Sequence, residues 1–302
     1  MNLLRLLSLI QGLLLLVGAP AFLGWLNWWK ARLTRRRRPL TCIVQPYRDL
    51  IKLLRLPATY AQPTSWVFRL TPVIVFAAYG SLLFTLPFFT KPLLAADLVL
   101  ILYLLGLARF TLSLAGLDSA SSFGGLGSNR EMFFHFLTEI SFFAVILALW
   151  LWSGVGAAAP TQSNALLRVV ALLAVMLAFF PVILLEARRL PVDNPETHLE
   201  LTMAGKAVGL EFSGRDLALV EWAEMNKLFF MVALWSQLPF ALFEQAPRSV
   251  FLSLLLWLLA GAFLAWWEWR TPKLRLGWVP SVAQTSLLLG MFAILVRLIP
   301  GG

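Results

Sequence analysis

The residues in this sequence best suited to chemistry are its carboxylates. Of 15 Asp and Glu residues, seven (Asp193, Glu196, Glu200, Glu211, Asp216, Glu221 and Glu224) fall between 187 and 226, with Glu186 at the edge. Pro195 suits the first turn of a helix capped by Asp193 or Asn194. The spacing of Asp193, Glu196 and Glu200 then puts them on one side of it. Glu221 and Glu224 are likewise one helical turn apart. Crowded carboxylates at an apolar boundary raise one another's proton affinity, and desolvation adds to that. Groups of this kind exchange protons near neutral pH, which suits a relay. A structural reading has equal weight: the acids cap helices and pair with Arg188, Arg189, Lys206 and Arg215, and Arg188 and Arg189 balance the charge of the loop.

A second candidate lies in a far more apolar setting. Glu139 sits in FFHFLTEISFFAVIL. Placing a charged carboxylate in a bilayer costs about 3 kcal/mol on insertion scales. Glu139 is therefore expected to face the protein interior, as a functional group or in an interhelical hydrogen bond. Glu131, eight residues earlier, would continue the line toward the inner surface, with His135 midway between them. His135 is a possible relay, although a lone helical histidine is more often a structural hydrogen-bonding residue. His198, in the long loop, is the other possible relay.

Other chemistries find little support. Cys42 is the single cysteine, so neither an internal disulfide nor a cysteine cluster can form. His135 and His198 are too far apart in sequence to suggest a haem or zinc site. The segment GLDSASSFGGLGSNRE, from Gly116 to Glu131, is rich in glycine but lacks the GK[ST] ending of a phosphate-binding loop. It is read as a flexible inner loop contacting a partner, with Ser128 to Glu131 starting the next helix.

The elements that must position these residues are membrane helices. The chain has 302 residues, 60% hydrophobic and 13% charged, with a mean hydropathy of +0.80. Soluble domains carry about 25% charged residues. A span needs about 20 mainly apolar residues. Eight segments qualify, near 3–28, 67–89, 93–115, 133–154, 165–186, 227–245, 249–267 and 279–299. The reading is an all-α polytopic membrane protein forming a single integral membrane domain over 1–302. Ala19-Pro20-Ala21 resembles a signal-peptide cleavage site, but the basic run follows the apolar stretch, which favours a retained helix.

Lys and Arg set the orientation. Connections 1–2, 3–4, 5–6 and 7–8, with Arg109 at the inner end of span 3, hold 20 of the 25 basic residues. They are placed inside, in the cytoplasm beneath the plasma (inner) membrane, with both termini outside. The net charge of +10 and the run Arg35 to Arg38 read as topology signals with lipid contact, not as a nucleic-acid site. Two inner loops are long, 30–66 and 187–226, and the segment 116–131 joins them on the inner face. QPYRDLIKLLRLP, from Gln45 to Pro57, has the pattern of an amphipathic surface helix. Tryptophans cluster near span ends, at Trp25, Trp28, Trp29, Trp150, Trp152, Trp266, Trp267 and Trp269, as in an interfacial belt.

The long loop carries a resemblance. Complex I membrane subunits show a run close to E-x-x-R-x-P-F-D-x-P-E-x-E-x-E-L. Here it reads Glu186, Arg189, Pro191, Val192, Asp193, Pro195, Glu196, His198, Glu200 and Leu201, followed by Glu211-Phe212-Ser213-Gly214 and Glu224. Glu139 stands in the place of that family's buried glutamate. The sequence resembles the membrane subunit of formate hydrogenlyase and hydrogenase-4 complexes, within the larger family of the quinone-pocket subunit of respiratory complex I. Val192 and His198 depart from the complex I pattern. PVDNPETHLELTM, AGLDSASSFGG and QPYRDLIKL are similar to the hydrogenase branch.

The resemblance implies a non-catalytic membrane anchor for a soluble arm. That arm would contain a NiFe-hydrogenase-like large subunit and an iron–sulfur small subunit. Antiporter-like membrane subunits are further implied partners. The iron–sulfur clusters and the NiFe centre would belong to those partners, with no cofactor in this chain. Coupling to proton or sodium translocation would run through Glu131, Glu139, Asp193, Glu196, Glu200, Glu211, Glu221 and Glu224. The alternatives are a quinone-binding complex I-type subunit and a purely structural anchor. A stand-alone transporter fits poorly, because the two halves show no internal repeat.

Overall fold

The computed structural model describes residues 3–35, 40–62, 64–86, 98–152, 165–192, 206–242, 250–272 and 276–298. Among these the chain is helical, with no strand. The helices are α1 (Leu3–Leu33), α2 (Thr41–Arg55), α3 (Trp66–Leu83), α4 (Leu98–Asp118), α5 (Ser122–Trp152), α6 (Ala165–Glu186), α7 (Lys206–Gly209), α8 (Gly214–Leu242), α9 (Val250–Arg270) and α10 (Val279–Leu298). Seven of them, α1, α3, α4, α5, α6, α9 and α10, are long and apolar enough to cross a bilayer. The sixth expected span falls in the second half of α8. That stretch also carries Asn226, Lys227, Ser236 and Gln237, which lower its hydropathy.

α8 is the central element. It packs against α1, α2, α3, α6 and α9, while α10 closes the other side against α5 and α6. Phe230, Met231 and Ala233 of α8 are fully buried. Around it, Phe142 of α5 meets Phe179 of α6 with ring centres 5.6 Å apart, and Phe22 of α1 stacks on Trp257 of α9 at 4.5 Å. Trp25, Trp29 and Trp267 pack against this core, while Trp150, Trp266 and Trp269 are exposed.

The 116–131 segment differs from the expected flexible loop. α4 continues to Asp118 and α5 begins at Ser122, leaving a three-residue turn. Ala120 takes a positive φ of 53°, and Ser121 Oγ caps α5 by accepting from the Gly124 N–H at 2.8 Å. The glycines serve close packing. A Cβ on Gly116 would collide with Ser128 Oγ, and one on Gly127 would lie 2.9 Å from Ala207 Cβ in α7. Small residues let these backbones approach.

The E-F-S-G segment pins three other segments together. Glu211 bonds Ser121, and Phe212 stacks on Phe68 of α3 at 4.4 Å. Ser213 Oγ accepts from the Thr59 N–H at 2.8 Å. Gly214, at φ +54°, turns the chain into α8 against the Pro57 carbonyl, where a side chain would be both strained and blocked. Tyr60 Oη donates to Asp216 at 2.8 Å, and that bond holds the phenol above its ordinary range. The amphipathic helix forms as α2, seated on α1 and α8, with Leu50 inside and Ile51 and Leu54 exposed.

Candidate functional site

The polar centre begins where α6 ends. The Arg189 N–H donates to the Leu184 carbonyl at 2.9 Å, and the Arg188 N–H to the Leu185 carbonyl at 3.3 Å. Arg188 has a φ of 50°, the left-handed position of a Schellman-type helix end, where glycine is usual. A side chain there costs about 1–2 kcal/mol. In return, two consecutive arginines reach different clusters.

Arg188 pairs with the buried Glu131 of α5 and lies 3.8 Å from Glu224 of α8. His135 Nε2 lies 2.8 Å from the Glu131 oxygen that meets Arg188. On the far side, Lys227 Nζ holds Glu224 at 2.8 Å and sits 5.0 Å from the centre of the Tyr79 ring in α3. The result is a continuous line of ionisable groups, Lys227, Glu224, Arg188, Glu131 and His135, crossing from α8 to α5. In the second cluster, Arg189 lies 3.5 Å from Glu268 of α9, which also pairs with Lys30 of α1. In a third, Arg109 of α4 lies 3.1 Å from Glu186, the last residue of α6. Glu186 and Lys227 are fully buried, and Arg109, Glu131 and Glu268 nearly so.

Such an arrangement is not built for stability. Desolvation of a buried pair largely cancels its attraction, yet removing one partner costs about 3–5 kcal/mol. The groups constrain one another: Arg188 serves two carboxylates, so a change in the charge of either alters its hold on the other. A cavity of about 740 Å³ opens beside this line and touches two of the clusters. Arg188 and Glu224 line it from one cluster, and Lys30, Arg189 and Glu268 from the other.

The structure therefore brings together four of the expected residues, Glu131, His135, Arg188 and Glu224, and places Arg189 in the neighbouring cluster with Glu268. Glu221 is half-buried and lines the same cavity. Glu211 is engaged with Ser121 in the pin at the start of α8. Asp193, Glu196, His198 and Glu200 lie outside the described residues.

Glu139 requires a correction: its side chain is exposed on the outer surface of α5, not turned to the interior. Eight residues at 100° each advance 800°, which is about 80° beyond two full turns. With Glu131 facing inward, Glu139 is carried out of the core.

Sequence reasoning missed Lys227, Glu268, Lys30 and Arg109 as members of the site. The signal was present: each lone charge in an apolar segment needs an opposite partner.

A polytopic helical membrane protein with a branched ionic core at the end of α6 is the class that fold and site define. The family model described as NADH dehydrogenase matches residues 6–298. Formate hydrogenlyase subunit 4 of Escherichia coli (strain K12) is 33% identical over 230 residues, covering 71% of this chain and 70% of that protein. Hydrogenase-4 component C of the same organism is 33% identical over 257 residues, covering 82% and 78%. A subunit of the NADH-quinone oxidoreductase of Rubrobacter xylanophilus is 26% identical over 278 residues, covering 82% and 80%. A chain in the structure of the membrane-bound sulfane sulfur reductase, an archaeal respiratory membrane complex, shares the fold with a TM-score of 0.76 at 16% identity, covering 96% of this chain and 99% of that one. The chain belongs to the NADH dehydrogenase family and is an integral membrane subunit of an energy-converting complex.

Proposed function

We propose that this chain is the membrane anchor and coupling subunit of a multisubunit NiFe-hydrogenase complex of the formate hydrogenlyase type. Segments 30–66, 116–131 and 187–226 form the cytoplasmic face that docks a NiFe large subunit and an iron–sulfur small subunit. Antiporter-like subunits lie beside it in the membrane, and both its termini are outside. The clusters and the NiFe centre reside in the docked arm; this chain does no redox chemistry itself. Reduction of the docked cluster changes the charge above the 187–226 loop, including Asp193, Glu196 and Glu200. The change reaches Glu224, shifts Arg188 between Glu224 and Glu131, and alters the proton held by Glu131 and His135. The shift drives proton or sodium translocation.

The observation that carries this reading is Arg188 placed between Glu131 and Glu224. The 33% identity to formate hydrogenlyase subunit 4 and hydrogenase-4 component C supports the choice of complex. The cavity beside Arg188 favours a second reading, a quinone site as in complex I. Purification through a tag on this chain separates them. The first reading expects a NiFe large subunit in the purified complex and hydrogen evolution that does not respond to quinone. A complex that reduces quinone and contains no NiFe subunit contradicts it.

A further inference from the structure

The outward position of Glu139 has a consequence for how the chain sits in the membrane. Glu139 lies 17 residues after the start of a helix that spans Ser122–Trp152. Exposed side chains recur along one stripe of this helix: Phe133, Phe136, Glu139, Ile140 and Phe143. The spacing of three and four residues makes a single face. It is distinct from the inner side of α5, where Ser141 Oγ donates to the Ala283 carbonyl of α10 at 2.9 Å and Phe142 is buried. Among the described residues, Glu139 has no ion-pair or hydrogen-bond partner. Its immediate neighbours on the face are three phenylalanines and an isoleucine, none of which can accept or donate for a carboxylate.

A lone ionisable side chain facing lipid at mid-span is costly; such residues ordinarily pair or face a protein interior. The interior of this chain is already occupied by its own ionic clusters. We propose that the Phe133–Phe143 stripe is an interface with a transmembrane helix of another membrane subunit, and that this helix presents a lysine or arginine to Glu139. Charge complementarity selects the occupant. A cation opposite Glu139 removes the cost of the exposed carboxylate, and the aromatic flanks exclude water and lipid around the pair. Glu139 is then a contact between subunits, outside the Arg188 line. The inference rests on the reading that the chain works in a multisubunit membrane complex.

The test uses the intact complex, purified in mild detergent through a tag on this chain. A photo-crosslinking phenylalanine analogue is placed at Phe136 and, separately, at Phe143, with Leu259 on the exposed face of α9 as control. Cross-linked peptides are identified by mass spectrometry. The expected product is a transmembrane helix of another subunit with a Lys or Arg within one turn of the cross-link. Glu139→Lys is expected to reduce retention of that subunit by about tenfold or more, because like charges then face each other. Glu139→Gln, which keeps shape and removes charge, is expected to weaken retention less. Replacing the identified cation by Glu in the Glu139→Lys background is expected to restore it. Capture of lipid alone, of a second copy of this chain, or of a helix without a cation at that depth overturns the proposal. So does full retention of every membrane subunit by Glu139→Lys. If the wild-type chain purifies with no other membrane subunit, the assembly reading fails as well, and the two failures are thereby told apart.

Discussion

Arg188 occupies a backbone conformation that favours glycine, yet it carries the longest charged side chain available. Its reach to Glu131 and Glu224 explains why the strain is tolerated. Arg189, one residue on, anchors Glu268 together with Lys30. This pairing makes a clear prediction. Glu268→Gln leaves two cations facing each other with little water, so it lowers stability by about 3–5 kcal/mol. Arg189→Met in the same background adds less than it costs alone, with a coupling of about 0.5–3 kcal/mol in a double-mutant cycle. Thermal unfolding of the detergent-solubilised protein measures both.

At this scale the sequence discloses part of the site. The spacing of Glu131 and His135 identifies a pair that the structure bonds at 2.8 Å. Glu224 and the two arginines are visible as members of a charged loop. Lys227 and Glu268 are not, because each stands at the edge of an expected span, where a topology signal or a solvated charge explains it equally well. The Glu268 pairing depends on contacts between helices far apart in sequence, which no local pattern encodes, whereas Lys227 stands one turn from Glu224 on α8 and its spacing is a usable signal. Glu139 misleads for the opposite reason: apolar neighbours imply a membrane setting but do not distinguish interior from outer surface.

The elements hold these residues through unusually close approaches. Gly116 and Gly127 bring α4, α5 and α7 together, and Glu131 lies one turn beyond Gly127 on α5. Gly127→Leu forces α7 away from α5 and destabilises the protein by about 1–3 kcal/mol through overpacking. Faster proteolysis at the 119–121 turn and a lower Tm are the expected readouts; an unchanged Tm contradicts the packing role. The same stretch shows why a glycine-rich segment reads as a loop. Glycine and serine mark turns in most contexts, but between membrane helices they also mark contact. Only the partner helix decides which, and α7 has four residues with no periodic pattern of its own. Long apolar segments, in contrast, are legible throughout: seven of the expected spans appear as α1, α3, α4, α5, α6, α9 and α10.

At the scale of the molecule, the Glu211–Gly214 pin and the ionic line are joined. Glu211 to Gly214 fastens segments 57–60, 68 and 121 to the start of α8, and α8 runs from that pin to Glu224 and Lys227. One helix, α8, therefore connects that pin to Glu224, the more distant of the two carboxylates beside Arg188. The proposed docking face and the ionic line share α8, and the 33% identical relatives are named formate hydrogenlyase subunit 4 and hydrogenase-4 component C. The alternative, a purely structural anchor, assigns the same ion pairs to fold maintenance alone.

The measurement that separates these accounts is the number of ions moved per hydrogen evolved by the complex in sealed liposomes, compared between the wild type and Glu224→Gln. Glutamine preserves the shape of Glu224 but leaves the buried Lys227 without its carboxylate, so the variant is expected to be less stable, and the ratio is measured on the complex that assembles and evolves hydrogen. If the line couples the two processes, ion uptake per hydrogen falls by about tenfold or more, the scale of losing a proton-transfer group. An unchanged ratio, in a complex that evolves hydrogen and pumps ions as before, contradicts the coupling role.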